Sequence, residues 1–186
     1  MSNNVLSADN QQERSRSSLD PWYITGFVEG EGTFHIAFYK DPRMKQGVKV
    51  IPEFHVNQSY LRLQTLEGIQ KYFDCGYIKE NHKNSARDTT YVYVVRDRED
   101  LLKKIIPFFY QYPLHSVKRE SFHLFARVVL LVSKGKHLEQ EGMKAIIQLA
   151  YRMNVDGKYR KRNKNQLLQF LKSSETIRLD SRKKRE

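Results

Sequence analysis

The chain has 186 residues, 39% apolar and 29% charged, which suits one domain with tails. It has no apolar run long enough for a membrane-spanning helix, and its single cysteine, Cys75, excludes an intrachain disulfide and a cysteine-built zinc site. Thirty-three Lys and Arg residues against 21 acidic residues give a net charge of +12, which favours a partner that carries phosphate groups.

The N-terminal segment is polar and shows no apolar period, so we predict a disordered tail over residues 1–18. It also lacks the apolar stretch of a secretory signal. Order is expected to begin at Leu19. Asp20 fits the N-cap of a helix and Pro21 its first position, and the helix is predicted to end near Gly30.

Strand-like and helix-like periods then alternate along the chain. Residues 33–40 and 50–58 read as strands, separated by a predicted loop, Asp41–Lys49, that carries Arg43, Lys45 and Lys49. A second pair of strands is predicted at 76–82 and 89–95. Helical periods cover 60–73, 97–109, 116–132 and 137–154.

This order predicts an α+β fold of the type αββαββα, with one antiparallel four-stranded sheet and additional C-terminal helices. We place the domain at residues 19–157 and a basic tail at 158–186, which is compatible with a short helix over 165–171. The tail holds eleven basic and three acidic residues, so 8 of the 12 excess positive charges lie there. Such a tail binds nucleic acid without reading its sequence, or only improves solubility.

One face of the predicted sheet has no segment left to cover it. Its side chains are polar or aromatic for the most part, so it is either a plain solvated surface or a surface that lies along a nucleic-acid groove. The residues assigned to this open face are His35, Ala37, Tyr39, Glu53, His55, Asn57, Lys79, Asn81, Thr89, Tyr91 and Tyr93.

The first helix departs twice from what local stability favours. Gly26 and Gly30 share one face, where each costs roughly 0.5–1 kcal/mol relative to Ala, but small residues at this spacing let another helix approach closely. Glu29 and Glu31 lie at the helix C-terminus, where the macrodipole disfavours acids by roughly 0.3–1 kcal/mol. Departures of this kind are expected at functional sites. An ordinary glycine helix stop would explain Gly32 only.

The segment Ile24-Thr25-Gly26-Phe27-Val28-Glu29-Gly30-Glu31-Gly32-Thr33 resembles the LAGLIDADG motif of homing endonucleases. The resemblance extends from about Pro21 to about Asn154 and implies the same αββαββα fold. It implies that Glu31 binds a divalent metal, expected to be Mg²⁺ with Mn²⁺ or Ca²⁺ able to replace it, and that the carbonyl of Gly30 is a second ligand. Many members have Asp where this chain has Glu31, whose extra methylene only lengthens the reach.

The resemblance also implies roles for residues outside the motif. Gln58 would order the attacking water, and Arg62 and Lys118 would stabilise transition-state charge, with Arg119 as the alternative to Lys118. Each of these could instead be an ordinary strand end or exposed helix charge. On the open face, Asn57 and Asn81 suit adenine, Lys79 suits guanine and Glu53 suits cytosine. Arg43, Lys45 and Lys49 would contact phosphates.

Only one copy of the motif is present, which in this family implies a homodimer. Its interface is expected to contain Ile24, Gly26, Phe27 and Gly30. The implied function is a site-specific, intron-encoded endonuclease that cuts double-stranded DNA at a near-palindromic target.

Three alternatives remain open. An intron maturase would use the same fold to bind intron RNA, and a non-catalytic regulator would only bind DNA. Asn81-His82-Lys83-Asn84 hints at an HNH nuclease, but a partner His at suitable spacing is lacking. No membrane partner is expected, and an organelle matrix or a prokaryotic cytoplasm would suit the protein.

Overall fold

The computed structural model describes residues 19–82, 89–153, 163–169 and 171. The elements that lie before the second hairpin are helix α1 (Pro21–Glu31), strands β1 (Gly32–Lys40) and β2 (Val48–Ser59), and helix α2 (Leu63–Phe73). They are followed by strands β3 (Tyr77–His82) and β4 (Thr90–Val95), then by helices α3 (Arg98–Gln111), α4 (Lys118–Ser133) and α5 (Gln140–Arg152). The predicted α+β class and αββαββα order are confirmed.

Two helices carry local irregularities. A single 3₁₀ turn, Tyr60–Arg62, leads into α2. Helix α3 widens to a π-helical segment over Leu101–Ile105, between α-helical segments Arg98–Asp100 and Ile106–Gln111. The apolar period predicts one uninterrupted helix here, because apolar periodicity does not distinguish a π turn from an α turn.

Helix α1 begins as predicted. The carboxylate of Asp20 accepts hydrogen bonds from the backbone nitrogens of Trp22 at 2.8 Å and Tyr23 at 3.1 Å, and Pro21 occupies the first helical position. Because Gly32 follows the last residue of α1 and starts β1, the helix C-terminus lies at one end of the sheet.

The four strands are antiparallel in the order β1-β2-β4-β3. Phe34 lies opposite Phe54, and their rings stack at 5.4 Å on the face that the helices cover. Phe109 of α3 and Phe125 of α4 bring their rings within 5.5 and 5.3 Å of Phe34. These contacts bury one continuous core between the sheet and the helices.

The register of β4 corrects one part of the predicted open face. Tyr93 lies opposite Val56 on the helix-covered face, where it is fully buried and its hydroxyl donates to the carbonyl of Cys75 at 2.9 Å. Tyr91 shares that face, and Thr89 precedes the strand.

The residues of β4 that do lie on the open face are Thr90, Val92 and Val94. The segment Tyr91-Val92-Tyr93-Val94 has apolar or aromatic residues at every position, so alternation could not decide which face each one takes. A shift of one residue exchanges the two faces of a strand.

The β1–β2 loop is shorter than predicted. Strand β2 already begins at Val48, so Lys49 lies in the strand opposite Tyr39 and not in the loop. Within the loop, Arg43 forms two side-chain hydrogen bonds to the carboxylate of Asp41, at 2.9 and 3.0 Å, and thereby partly neutralises its own charge.

The C-terminal part adds to the same core. Residues 164–169 are helical, which agrees with the short helix predicted there, and Leu167 and Leu171 are buried in the core cluster. The predicted tail at 1–18 and most of the basic tail lie outside the described residues, so the domain boundaries stay predictions. Nowhere in the described ranges is a helix both long and apolar enough to cross a membrane.

Candidate active site and nucleic-acid interface

The exposed side of α1 is built from glycines and aromatic residues. A Cβ atom placed on Gly26 or Gly30 would meet nothing within 4 Å in the described structure, and the neighbouring Trp22 and Tyr23 are about half exposed. Tyr23 stacks on Phe27 at 6.1 Å. We call this surface, defined by Trp22, Tyr23, Gly26, Phe27 and Gly30, the glycine face.

Ile24 does not belong to the glycine face. It is fully buried in the core together with Val28, one turn later. The prediction that Ile24 forms part of an intermolecular interface was therefore wrong. Residues four apart share one side of a helix, so the side that holds Ile24 and Val28 cannot also be the side that holds Gly26 and Gly30.

Lys118 reaches from the start of α4 to the end of α1. Its ammonium nitrogen Nζ donates hydrogen bonds to the carbonyl oxygens of Val28 at 2.8 Å and Gly32 at 2.7 Å. Burial lowers the pKa of Lys118, and the charges of Glu29 and Glu31 partly offset this. A cation at a helix C-terminus is favoured by the macrodipole, so Lys118 compensates for the two acids placed there.

Glu29 fixes the turn that precedes α4. Its carboxylate accepts hydrogen bonds from the backbone nitrogens of His115 and Ser116, the latter at 3.0 Å, and from the Ser116 hydroxyl. Burial raises the pKa of the Glu29 carboxyl, but these hydrogen bonds and the charge of Lys118 outweigh burial and hold it below its ordinary value. The Ser116 hydroxyl in turn accepts from the backbone nitrogen of Lys118 at 3.1 Å.

The role of Glu29 was not predicted from the sequence. The motif has two acids, and only one was assigned a function. The residues that Glu29 contacts lie 86 and 87 positions away along the chain, so no local pattern pointed to them.

Glu31 is the second acid of the motif and has a different environment. Its side chain is exposed at the last position of α1, beside the glycine face, and its charge acts on Lys118. The structure therefore brings together Glu31 and Lys118, two of the four residues predicted to be catalytic.

Gln58 and Arg62 lie at the end of β2. Since Gly32 is opposite Val56, Gln58 extends two residues beyond the start of β1, on the side where α1 ends. The Gln58 side chain accepts a hydrogen bond from the backbone nitrogen of Ser59 at 2.8 Å. Arg62 is exposed at the end of the short 3₁₀ turn. Both residues thus remain candidates at this end of the sheet.

The chemistry at the end of α1 fits a hard divalent cation. The carboxylate of Glu31 and the carbonyls of the last helical turn, including that of Gly30, are oxygen donors of the kind that Mg²⁺, Mn²⁺ and Ca²⁺ prefer. The part of the chain that the structure describes holds no group of three or more His, Cys, Asp or Glu residues able to enclose a metal.

Most of the predicted open-face residues are accessible. Of these residues, Tyr39, Lys79 and Asn81 are exposed, whereas His35, His55 and Asn57 are half-buried. Lys49, which was predicted in the loop, is also exposed on this face. The amide of Asn81 donates to the side-chain oxygen of Asn57 at 3.3 Å. Lys45 is exposed in the hairpin loop. Ala37 lies on this face but is buried, so its methyl group offers little surface to a partner.

Glu53 also lies on the open face but is not accessible. Its side chain is only 4% exposed, with one oxygen 3.0 Å from Nε2 of His55 and the other 2.5 Å from Nε of Arg96. Burial raises the pKa of the carboxyl, but His55, Arg96 and His35 together hold it below its ordinary value. Since both oxygens face cationic or protonatable groups, the prediction that Glu53 reads cytosine was wrong.

Arg96 was not predicted as a site residue. It follows β4 directly, and only the β2–β4 register places it beside Glu53.

Comparisons with known proteins agree with this geometry. A family model described as LAGLIDADG endonuclease matches residues 24–129. A "Probable intron-encoded endonuclease 2" of Neurospora crassa is 35% identical over 133 residues, which cover 71% of this chain and 28% of that protein. The chain spans between 23% and 47% of the length of the curated relatives that it matches.

The solved structures that are similar over most of this chain include two homing endonucleases. The homing endonuclease I-TnaI is 32% identical with a TM-score of 0.72, covering 85% of this chain and 99% of that one. The archaeal intron-encoded homing endonuclease I-Vdi141I, solved in complex with DNA, is 30% identical with a TM-score of 0.75, covering 84% of this chain and 96% of that one.

Proposed function

Because this chain belongs to the LAGLIDADG endonuclease family, we propose that it is a homing endonuclease that cuts double-stranded DNA as a homodimer. The observation that supports this most directly is the end of α1. There an exposed carboxylate, Glu31, lies beside a half-buried ammonium, Lys118, and beside a glycine face that nothing in the described structure covers.

The glycine face supports a second copy of the chain as its occupant. Small residues four apart allow two helix backbones to approach closely, and the aromatic residues beside them add apolar area to bury. Two α1 helices that cross at Gly26 and Gly30 would bring both Glu31 side chains to the two-fold axis. Each copy would then contribute one carboxylate to a shared metal site. Two-fold symmetry calls for a near-palindromic target.

The divalent cation, when bound, would polarise the scissile phosphate and lower the pKa of a water molecule. The chain's own residues would hold the phosphate in place. An ammonium group carries three N–H donors, and the Val28 and Gly32 carbonyls take two of those of Lys118. The third is then available to a phosphate oxygen, and Arg62 would add a second positive charge as Gln58 orders water.

The open sheet face would lie in the major groove. A nine-residue strand such as β1 spans about 30 Å, close to one duplex turn of about 34 Å, so two copies would cover roughly 20 base pairs. Asn57, Asn81 and Lys79 would meet base edges, and Tyr39 and Lys49 lie toward the hairpin end of the same face. Arg43 and Lys45 would contact phosphates from the loop.

The test is Glu31→Gln in a cleavage assay on a library of duplexes, with Mg²⁺ or with EDTA. We expect the wild type to cut one near-symmetric site with Mg²⁺ only. The variant should bind that site but not cut it, since the amide lacks the negative charge that attracts the cation. Glu67→Gln, at an exposed acid of α2, is the matched control and should cut normally. Undiminished cleavage by Glu31→Gln would refute the assignment.

A further inference from the structure

Arg96 is held on the open face by a buried carboxylate. Arg96 directly follows Val95, the partner of Phe54, and it lies beside Glu53, whose opposite neighbour on β1 is His35. The Arg96 side chain is 40% exposed, whereas that of Glu53 is 4% exposed. Arg96 is therefore partly exposed, while its Nε atom is paired with a buried carboxylate.

Burying the ionised carboxylate of Glu53 costs free energy unless other groups compensate for its lost hydration. On the same face its surroundings include Val94 and Ala37, both buried but separate from the core beneath the helices. A buried carboxylate in such surroundings must be paired with positive or hydrogen-bonding groups. Among the residues that the described strand register places on this face, Glu53 is the only acid. An anion on a surface that meets DNA weakens binding unless it orders another group.

The geometry around Glu53 orders the guanidinium of Arg96. One carboxylate oxygen forms an ion pair with Nε at 2.5 Å, and the ring of Tyr77 lies 6.0 Å from Cζ of Arg96, within the range of a cation–π contact. A guanidinium has five N–H donors, so four remain on the two terminal nitrogens. Two such donors, held in a plane, match the O6 and N7 acceptors of guanine in the major groove.

We infer that Arg96 reads a guanine in each half-site of the target and that Glu53 is the residue that positions it. This inference rests on the proposed function, because it requires the open face to lie in a DNA groove. The preference for this base pair of the DNA target would then depend on Arg96, which lies outside the motif and was not predicted as a member of the open face. The buried carboxylate of Glu53 would orient the side chain of Arg96 toward the base.

The test is selection of bound duplexes from a randomised library in EDTA, with Arg96→Lys as the main variant. Lysine keeps the positive charge near Glu53 but loses the planar pair of donors. We expect the wild type to prefer one G·C pair in each half-site, and the variant to lose about 5- to 150-fold of that preference at this pair alone. Arg98→Lys is the matched control and should leave every preference unchanged, since the charge of Arg98 acts on His137 near α5.

Glu53→Gln tests whether Glu53 positions Arg96. It should weaken the preference at the same base pair, whereas a purely structural role would reduce binding to all sequences equally. Should this variant fail to fold, the comparison of Arg96→Lys with Arg98→Lys still decides the question.

Two results would overturn the inference while leaving the proposed function intact. One is an unchanged preference profile in Arg96→Lys. The other is a uniform loss of binding to all sequences, which would place Arg96 on a phosphate. A wild-type protein that enriched no sequence would overturn both the inference and the proposed function.

Discussion

A single methyl group at Gly26 is expected to have opposite effects on the protomer and on the dimer. Gly26 lies in the middle of α1, its position is exposed, and an added Cβ would meet no atom within 4 Å. Glycine costs a helix interior about 0.5–1 kcal/mol relative to alanine, so Gly26→Ala should stabilise the isolated protomer by about that amount.

In the dimer the same methyl group would be repeated at the helix crossing. Overpacking of a close contact typically costs about 1–3 kcal/mol, which corresponds to a roughly 5- to 150-fold weaker dimer. Because the proposed metal site needs a Glu31 from each copy, cleavage at low protein concentration should fall in parallel.

The effect on the protomer and the effect on the dimer can be measured separately by choosing the protein concentration. Urea unfolding below the dissociation constant of the dimer reports the protomer, and sedimentation equilibrium above it reports self-association. Gly142→Ala is the matched control, since an added Cβ there would lie 2.0 Å from the carbonyl oxygen of Lys136. That variant should destabilise the protomer and leave the contact between the two α1 helices unaffected.

Two results would refute this reasoning. A Gly26→Ala protomer less stable than wild type would show that another part of the chain covers the glycine face. A more stable variant whose self-association is unchanged would show that the glycine face is not the interface.

The remaining predictions concern buried and paired polar groups. Glu29→Gln should lower the free energy of unfolding by about 1–3 kcal/mol at neutral pH in urea titrations, and should slow cleavage, since three hydrogen bonds anchor the turn that carries Lys118. Because the folded-state pKa of Glu29 lies below its ordinary value of 4.5, this stabilisation is present above that value and is lost as pH falls through the folded-state pKa. The difference between wild type and variant should therefore disappear in acid, and a constant difference would contradict the assignment. Tyr93→Phe should cost about 1–2 kcal/mol by leaving the carbonyl of Cys75 without its donor, whereas Tyr39→Phe, at an exposed hydroxyl, should be neutral in the same titration. Equal losses in the two tyrosine variants would contradict this view of the core.

The order of helices and strands was predictable because its signals are local. Apolar spacing distinguishes helices from strands, and a capping Asp20 followed by Pro21 sets the start of α1. The two acids and two glycines of α1 were recognisable as anomalies for the same reason. Each of these four residues lowers the stability of α1 by a local effect that does not depend on the rest of the chain.

The site itself depended on contacts between distant segments. The pairing of Glu29 with Ser116 and of Arg96 with Glu53 joins residues 87 and 43 positions apart, and neither residue's local pattern identifies its partner. The assignment of β4 residues to the two sheet faces was ambiguous because Tyr91, Val92, Tyr93 and Val94 are all suited to a buried position. Only the pairing of β4 with a distant strand decides which of them face the core. Local patterns thus determine which elements form and where the motif acid lies. Strand register and helix packing decide which side chains meet, because those depend on the free energy of the whole core and not on that of any one segment.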